Sequence, residues 1–357
     1  MKRFFNVAVV ALVAGAVAVS CCNGGKSMVT KGSNAKMDTL SYAMGANLGE
    51  FVRTRIADIP FNFDKLSKGI EQGAFNKGKW SAEEAQEVFQ SLIGPVNDRF
   101  GQLMRQKQDT TAVAEPIQVF VSEGERDSLS YAYGLNIGHD LRQGRVALQL
   151  NWYMKGFEQT RNDEGVMSAD EVGEYLQNYF MVVLPQQEKE KSEAWLAKME
   201  KKAGVQKSES GLLYKVVKEG DVSRSATDDR DEVTVHYTGR TVDGEVFDSS
   251  LFENMPKQRQ EMMRQYQPDA FDEKGNIIEN EPVTFPLNRV IKGWTEGMKL
   301  VGPGGKIILY IPAELAYGAH GNQAIAPNAA LEFEVELIDV EPFVDPAAAE
   351  ATEQAAE

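Results

Sequence analysis

The spacing of apolar residues divides the chain into a helical part and a sheet part. Between Asp38 and Phe180 apolar side chains recur at helical intervals, which predicts amphipathic helices. From Ser210 onward the pattern becomes alternating. In LEFEVEL, which begins at Leu331, apolar residues alternate with glutamates, which predicts an antiparallel strand with one buried and one exposed face. The segment VIKGWTEGMKL from Val290 predicts a short amphipathic helix on the buried face, so the expected fold class is α+β.

The helical part contains an internal repeat. DTLSYAMGANLG from Asp38 and DSLSYAYGLNIG from Asp127 share eight of twelve residues, and the second begins 89 positions after the first. Two further matches follow in the same order, KGIEQG with KGFEQT and SAEE with SADE, which begin at Lys68, Lys155, Ser81 and Ser168. The shared order and spacing predict two helical units, at 37–110 and 126–185.

Each unit ends with the same helix signal. Ser81 with Glu84, and Ser168 with Glu171, form Ser-x-x-Glu capping boxes that predict a helix start. An apolar stripe at helical spacing follows in each copy: Val88, Phe89, Leu92 and Ile93 in the first, and Tyr175, Leu176, Tyr179 and Phe180 in the second. A unit of about sixty residues with one broad apolar face is marginally stable alone. We therefore expect either pairing of the two copies within one chain or a homodimer.

Residues 1–20 have the pattern of an export signal. Lys2 and Arg3 precede an apolar run that is too short to span a membrane, and small residues lead to Cys21. The junction resembles a bacterial lipobox, which predicts lipidation of Cys21; an ordinary signal peptide cleaved nearby is the alternative. We expect an exported, membrane-anchored lipoprotein that faces the periplasm, on the outer rather than the inner membrane. The polar segment 21–36 predicts a flexible tether.

Composition separates three further segments. The charged run from Gln186 to Ala203, followed by Gly204, predicts a connecting helix within 186–207 that acts as a semi-rigid strut. A solvated helix that merely separates domains is the alternative. The sheet domain is expected at 208–342. Residues 343–357 are acidic and rich in alanine, which predicts a disordered tail.

Charge and residue types exclude several classes of function. The formal net charge of −15, with no clustering of Lys and Arg around aromatic residues, argues against nucleic-acid binding. Both cysteines, Cys21 and Cys22, lie at the signal junction, so the folded part has no disulfide framework. His139, His236 and His320 are scattered without metal-ligand spacing. We therefore predict neither a metal nor a cofactor.

The stretch VHYTGRTVDGEVFDSS contains the candidate chemistry. Strand alternation places Tyr237 on the buried face and His236 on the opposite face, at a surface or edge. After the turn, Phe247 and Asp248 bring an aromatic ring and a carboxylate to the same region. Inward aromatic residues are usually plain core. A carboxylate beside them is costly unless it is paired or functional, so Asp248 favours a functional pocket.

Four motifs in order resemble one known family. VHYTGRTVDGEVFDSS, VIKGWTEGM, AYG and LEFEVEL are similar, over Ser210 to about Glu341, to the FKBP-type peptidyl-prolyl cis-trans isomerase domain. The signal, helical region and connecting helix resemble the exported bacterial branch, the macrophage infectivity potentiator and FkpA-like proteins. In that branch a single helical unit commonly makes a dimer, whereas this chain carries two.

The resemblance implies a cofactor-free isomerase that assists the folding of proline-containing unfolded or nascent exported proteins, and possible binding of macrolide-type inhibitors. It assigns catalytic roles to Tyr237, Phe247, Asp248 and Tyr317, with Tyr317 donating a hydrogen bond to a substrate carbonyl. It assigns the proline pocket to Val283, Val290, Ile291, Trp294, Ile325 and Phe333, with Trp294 as the floor. Val283 stands where relatives often carry an aromatic residue. The competing interpretation is a holding chaperone, a binding module with weak or no isomerase activity.

An insertion at 251–281 borders the expected pocket. Met255, Met262, Met263 and Tyr266 predict a short helix with an adaptable apolar face. DEKGN, which begins at Asp272, predicts a hairpin turn. The insertion is interpreted as a lid or client-contact arm, with an inert surface excursion as the alternative.

Overall fold

A computed structural model describes residues 28–33, 36–108, 117–144, 146–322 and 324–344. The chain forms two compact units that divide between Met181 and Val182. The predicted signal peptide, Cys21 and Cys22, and residues 345–357 of the predicted tail lie outside the described residues. None of the described helices is both long and apolar enough to cross a membrane.

The first unit is helical. Its elements are β1 (Val29–Thr30), α1 (Thr39–Arg55), α2 (Phe63–Ala74), α3 (Ala82–Gln108), α4 (Glu123–Gln143), β2 (Leu148–Gln149), α5 (Leu150–Arg161) and α6 (Ala169–Asn178), followed by a π-helical turn at Tyr179–Val183. Both predicted capping boxes are confirmed: the Glu84 carboxylate accepts from Ser81 N at 2.8 Å, and Ser168 and Glu171 make the reciprocal pair. The duplicated sequence therefore forms duplicated helices.

The two copies pair crosswise within the chain. Helix α1 of the first copy packs on α5 of the second, and α2 packs on α4. Each crossing depends on glycine: a Cβ added at Gly156 would lie 2.1 Å from the carbonyl oxygen of Tyr42, and one at Gly134 would lie 2.1 Å from that of Leu66. Two helix backbones can approach this closely only where a side chain is missing. Each copy thereby covers the apolar face of the other.

Because each copy already has its partner within the chain, we expect the protein to be a monomer. Multi-angle light scattering over a broad range of protein concentrations should give the mass of one chain throughout. A dimer that persists on dilution would contradict this prediction and would require a second apolar interface.

The predicted tether at 21–36 is wrong for its described part. Strand β1 pairs in parallel with β2, and Val29 is buried. The Trp152 indole N–H donates to Ser33 O at 2.8 Å, and Leu148 N donates to Met28 O at 3.0 Å. Ordered structure thus begins before Met37, because two β residues and a buried indole hold a segment whose composition alone indicates a flexible chain.

The second unit is an antiparallel sheet with helices. Its elements are α7 (Leu184–Glu200), β3 (Gln206–Lys207), β4 (Leu213–Lys218), β5 (Glu232–Thr241), β6 (Val246–Ser249), α8 (Lys257–Tyr266), β7 (Val283–Pro286), α9 (Lys292–Gly297), β8 (Gly305–Ile311) and β9 (Leu331–Glu341). The strand order is β3-β4-β8-β9-β5-β6, and β7 pairs with the first half of β5. Helix α9 packs on the sheet, where Gly293 and Gly297 lie against Ile311 and Leu309. This arrangement confirms the predicted α+β fold with a sheet wrapped on a short helix.

Helix α7 is part of the sheet unit rather than a strut that stands apart from it. It ends at Glu200, before the predicted Gly204 stop, and Met199 is buried against Leu213 and Tyr310. The Ser192 hydroxyl accepts a hydrogen bond from Ala330 N at 2.9 Å. The connecting helix predicted within 186–207 is therefore present, but the alternative of a solvated helix that merely separates domains does not hold for this face, because a few apolar residues within the charged run dock it on the sheet.

Candidate functional site

A cluster of aromatic rings lies between the sheet and α9. The indole of Trp294 is central, and its centroid lies 5.3 Å from those of Tyr237 and Phe333, with the ring planes nearly perpendicular. Phe247 meets Phe333 edge-on at 5.5 Å. Edge-to-face contacts of this kind fix ring orientations, so the cluster presents defined apolar walls.

The sheet register places these rings. Tyr237 lies on the buried face of β5, as strand alternation predicts, and Phe333 of β9 lies directly opposite Gly239. A Cβ at Gly239 would come within 2.7 Å of the rings of both Phe247 and Phe333. The absence of a side chain at Gly239 therefore leaves the space in which these two rings meet.

Asp248 lies at the edge of the aromatic cluster and is fully partnered. Its carboxylate accepts a hydrogen bond from the Tyr237 hydroxyl at 2.6 Å and another from Ser249 N at 3.0 Å. It also forms an ion pair with the Arg259 guanidinium of α8. The carboxylate is thus held in one orientation by the strand behind it and by the insertion beside it.

The two phenols remain hydrogen-bond donors at neutral pH. Burial raises the pKa of Tyr237 well above its usual range, and the hydrogen bond to Asp248 acts in the same direction. Burial, followed by the negative charge of Asp248, also raises the pKa of Tyr317. A raised phenol pKa favours the neutral form, so both O–H groups persist well above pH 7. Tyr317 is 37% exposed, so part of its side chain is accessible to a ligand.

The remaining predicted pocket residues pack around the same rings. Ile325 is buried, and its loop is closed by the Asn322 side chain, which accepts hydrogen bonds from Ala324 N and Ile325 N at 2.7 Å each. Val290 and Ile291 are half-buried just before α9. Val283 lies on β7 opposite Val235 and is also half-buried against the cluster.

The structure brings the predicted aromatic and aliphatic residues other than Tyr317 into one cluster and adds two residues that the sequence did not indicate. Phe285 meets Tyr237 at 6.1 Å and Trp294 at 6.0 Å, and its position two residues after Val283, on the same strand face, was the available signal. Arg259 is the second, and no sequence signal indicated its partner. His236 lies half-buried on the opposite strand face, with Nδ1 3.3 Å from Ser250 Oγ. Within the described ranges, no group of three or more acidic or histidine side chains could hold a metal ion.

Two family models match the chain. The model described as FKBP-type peptidyl-prolyl cis-trans isomerase matches residues 223–338, which include the aromatic cluster. The model described as the domain amino terminal to FKBP-type peptidyl-prolyl isomerase matches residues 126–216, which include the second helical copy.

Curated relatives extend over both units. FkpA of Aeromonas hydrophila is 33% identical over 252 residues, which are 66% of this chain and 83% of the relative. The Mip isomerase of Coxiella burnetii is 33% identical over 228 residues, which are 60% of this chain and 87% of the relative. The crystal structure of FkpA from Escherichia coli is 33% identical, covers 55% of this chain and 84% of that chain, and superposes with a TM-score of 0.38. This chain belongs to the FKBP-type peptidyl-prolyl cis-trans isomerases.

Proposed function

We propose that the aromatic cluster around Trp294 is the isomerisation site and that it acts on X–Pro bonds of unfolded proteins without a cofactor. The observation that supports this site most directly is the Asp248 carboxylate, held by Tyr237 and Arg259 at the edge of an otherwise apolar cluster. A plain hydrophobic core would not include a carboxylate, because burying a charge costs free energy unless it has partners and a use.

The chemistry of the peptide bond explains why such a site suffices. Resonance gives the C–N bond partial double-bond character, and rotation meets a barrier of about 18–20 kcal/mol. The twisted amide at the top of this barrier has lost resonance and carries less charge on its carbonyl oxygen. A site that binds the twisted amide more tightly than either planar form lowers the barrier, and it needs no nucleophile or metal.

Each part of the cluster would favour the twisted amide in its own way. The proline ring would rest on the Trp294 indole, between Tyr237 and Phe333. These apolar walls disfavour the dipolar planar amide. The Tyr317 hydroxyl, kept protonated by its raised pKa, would donate a hydrogen bond to a substrate carbonyl and hold the chain while the bond turns. The fixed Asp248 carboxylate would provide the polar edge beside the reacting bond.

The isomerisation rate of an X–Pro peptide, measured with and without the purified chain, tests the proposal. X–Pro bonds equilibrate in tens to hundreds of seconds unaided, so acceleration is readily observed. A correctly folded protein that leaves this rate unchanged would contradict the assignment and would favour a holding chaperone.

We also propose that the insertion acts as a lid through its helix α8. Arg259 connects this helix to Asp248, while Met262 and Tyr266 on the same helix are exposed. The predicted turn at Asp272 is present, since Asp272 N donates to Asn276 O at 2.9 Å and Phe271 bridges to Ile277. The lid thus contributes one cation to the edge of the pocket and an apolar surface beyond it.

Replacing Arg259 with glutamine should change the charge preference for the residue before proline. Without the guanidinium, the uncompensated Asp248 carboxylate should reduce kcat/KM for Glu-Pro relative to Lys-Pro peptides by about threefold to tenfold. Arg264→Gln is the matched control, because Arg264 lies on the same helix but stacks on Phe252 and Phe271. An equal change of preference in both variants would argue against a role for the Arg259 ion pair.

The exposed side chains of the insertion favour a second, additional function. Met262, Tyr266 and Ile278 are 53%, 71% and 66% exposed, and such side chains suit the holding of unfolded chains. Suppression of client aggregation that survives an inactivating substitution in the isomerase site would demonstrate holding as a separate activity. Loss of both activities together would assign them to one site.

We further propose export with lipidation at Cys21, supported by the basic, apolar and small-residue order of the first twenty residues. Incorporation of labelled fatty acid that is absent in Cys21→Ala tests the anchor. Macrolide-type inhibitors would compete for the aromatic cluster, and competition with the X–Pro peptide tests that expectation.

A further inference from the structure

The helical unit has two halves, one around Tyr131 and one around Tyr42, and both contain the same pair of tyrosine hydrogen bonds. In one half, the Tyr131 hydroxyl donates to Gln72 Oε1 at 2.6 Å and accepts from Lys79 N at 2.9 Å. In the other half, Tyr42 donates to Gln159 Oε1 at 3.1 Å and accepts from Val166 N at 2.9 Å. The two halves can therefore be compared directly, because their tyrosine hydrogen bonds are the same and the surrounding side chains differ.

The half around Tyr42 is filled with apolar side chains. Trp152 is 8% exposed and is buried with Tyr42 and Val172, and Met167 packs against the same cluster. The Trp152 indole occupies the space beside Tyr42 in this half. The same indole also donates a hydrogen bond to Ser33 O.

The half around Tyr131 is open. By the spacing of the repeat, Lys65 stands where the second copy has Trp152, and Trp80 stands where it has Met167. An open surface pocket of about 410 Å³ lies here, and we name it the lysine pocket; its lining includes Lys65, Lys68, Lys77, Lys79, Trp80 and Tyr131.

The lysine pocket is positively charged in a chain whose net charge is −15. Four lysines line it against one acid, Asp127, whose carboxylate is already engaged by Asn62 Nδ2 at 2.8 Å and by Lys65 Nζ at 3.8 Å. None of the other three lysines forms an ion pair with a described residue. In the second copy the residues at the positions of Lys77 and Lys79 are Glu164 and Val166, so the excess of positive charge belongs to this half alone.

An aromatic wall accompanies the charge. The Trp80 ring lies 5.5 Å from the Tyr131 ring, and the Lys79 ammonium lies 4.2 Å above the indole. Lysine ammoniums are point charges on flexible stems, so they suit several separated anionic groups better than a single planar one. An indole face accepts an apolar side chain between those groups.

We propose that the lysine pocket binds acidic segments of polypeptide that carry an aromatic or apolar residue between carboxylates. This inference rests on the proposed function, since it identifies the bound class as segments of the unfolded chains on which the isomerase acts. The helical unit then contributes a charge-selective contact of its own, separate from the recognition of proline.

Fluorescence anisotropy of a labelled pentapeptide, with four glutamates around one phenylalanine, tests the pocket on the full chain. Binding should weaken as salt is added, and a glutamine counterpart should bind at least about tenfold more weakly. Lys77→Glu should reduce affinity for the glutamate peptide by at least about tenfold, because it places a like charge at the site. Lys65→Trp, which installs the residue of the filled half, should reduce it similarly.

Lys198→Glu is the matched control, since it makes the same charge change on an exposed face of α7 and should leave peptide affinity unchanged. Isomerisation of a short X–Pro peptide should be unaffected in all three variants, so loss of peptide binding and loss of isomerase activity are separate outcomes. Equal affinity for the glutamate and glutamine peptides, or an unchanged affinity in Lys77→Glu, would overturn the proposal. Inorganic tripolyphosphate that binds more tightly than the glutamate peptide would also overturn it, in favour of a phosphate ligand.

Discussion

Replacing Asp248 with alanine is expected to lower kcat/KM for an X–Pro peptide by roughly 10- to 100-fold, the loss that follows from removing a charged hydrogen-bond acceptor from a half-buried position. The substitution leaves the Tyr237 hydroxyl and the Arg259 guanidinium without their shared acceptor. Both side chains are then free to move, and the polar edge of the pocket is lost. The measurement is the peptide isomerisation rate as a function of enzyme concentration.

Asp339→Ala provides the control for this substitution. Asp339 also pairs with an arginine, Arg224 at 2.7 Å, but it lies on β9 at an exposed position. Exposed ion pairs contribute little to stability, so Asp339→Ala should remain folded. It should therefore retain the peptide isomerisation rate of the parent protein. If Asp248→Ala retains the parent rate while both variants remain folded, the Asp248 carboxylate does not contribute to isomerisation.

Replacing Gly156 with alanine is expected to destabilise the helical unit by about 2–4 kcal/mol. The new methyl group would lie 2.1 Å from the carbonyl oxygen of Tyr42, so α1 and α5 would have to separate. Because the obstacle is backbone, no rotation of a side chain can relieve the contact. Urea unfolding followed by circular dichroism at 222 nm should show an earlier transition for the helical signal.

Gly173→Ala in α6 is the opposite case. A Cβ at this position meets nothing within 4 Å, so the substitution should stabilise the helix by about 0.5–1 kcal/mol through the higher helix propensity of alanine. If Gly156→Ala unfolded at the same urea concentration as the parent protein, or at a higher one, the crossing of α1 and α5 would not be tightly packed.

The sheet unit was largely predictable because its signals are local. Alternation along β5 and β9 placed Tyr237 and Phe333 on the buried face, and the motif order located Trp294 between them. Arg259 was not predictable, since its contact with Asp248 depends on how a long insertion folds back. The direction in which the insertion folds is set by tertiary contacts, and these produce no periodic pattern of apolar residues in the sequence.

The helical unit shows a different limit. The repeat was visible, and so was the need for each apolar face to find a partner, but the sequence left open whether the two copies pair within one chain or a homodimer forms. The crosswise pairing of α1 with α5 and α2 with α4 follows from matched surfaces that only the assembled helices display. Docking of β1 was missed for the same reason, because Val29 and Ser33 are held by residues more than one hundred positions away.

The pairing of two copies in one chain also removes a constraint of symmetry. In a two-chain dimer with two-fold symmetry, every substitution appears on both sides of the interface at once. A tandem repeat lets each side change alone, as the contrast between Trp152 and Lys65 illustrates. One half can therefore keep the packing between the two helical copies, while the side chains of the other half can change and form a new surface.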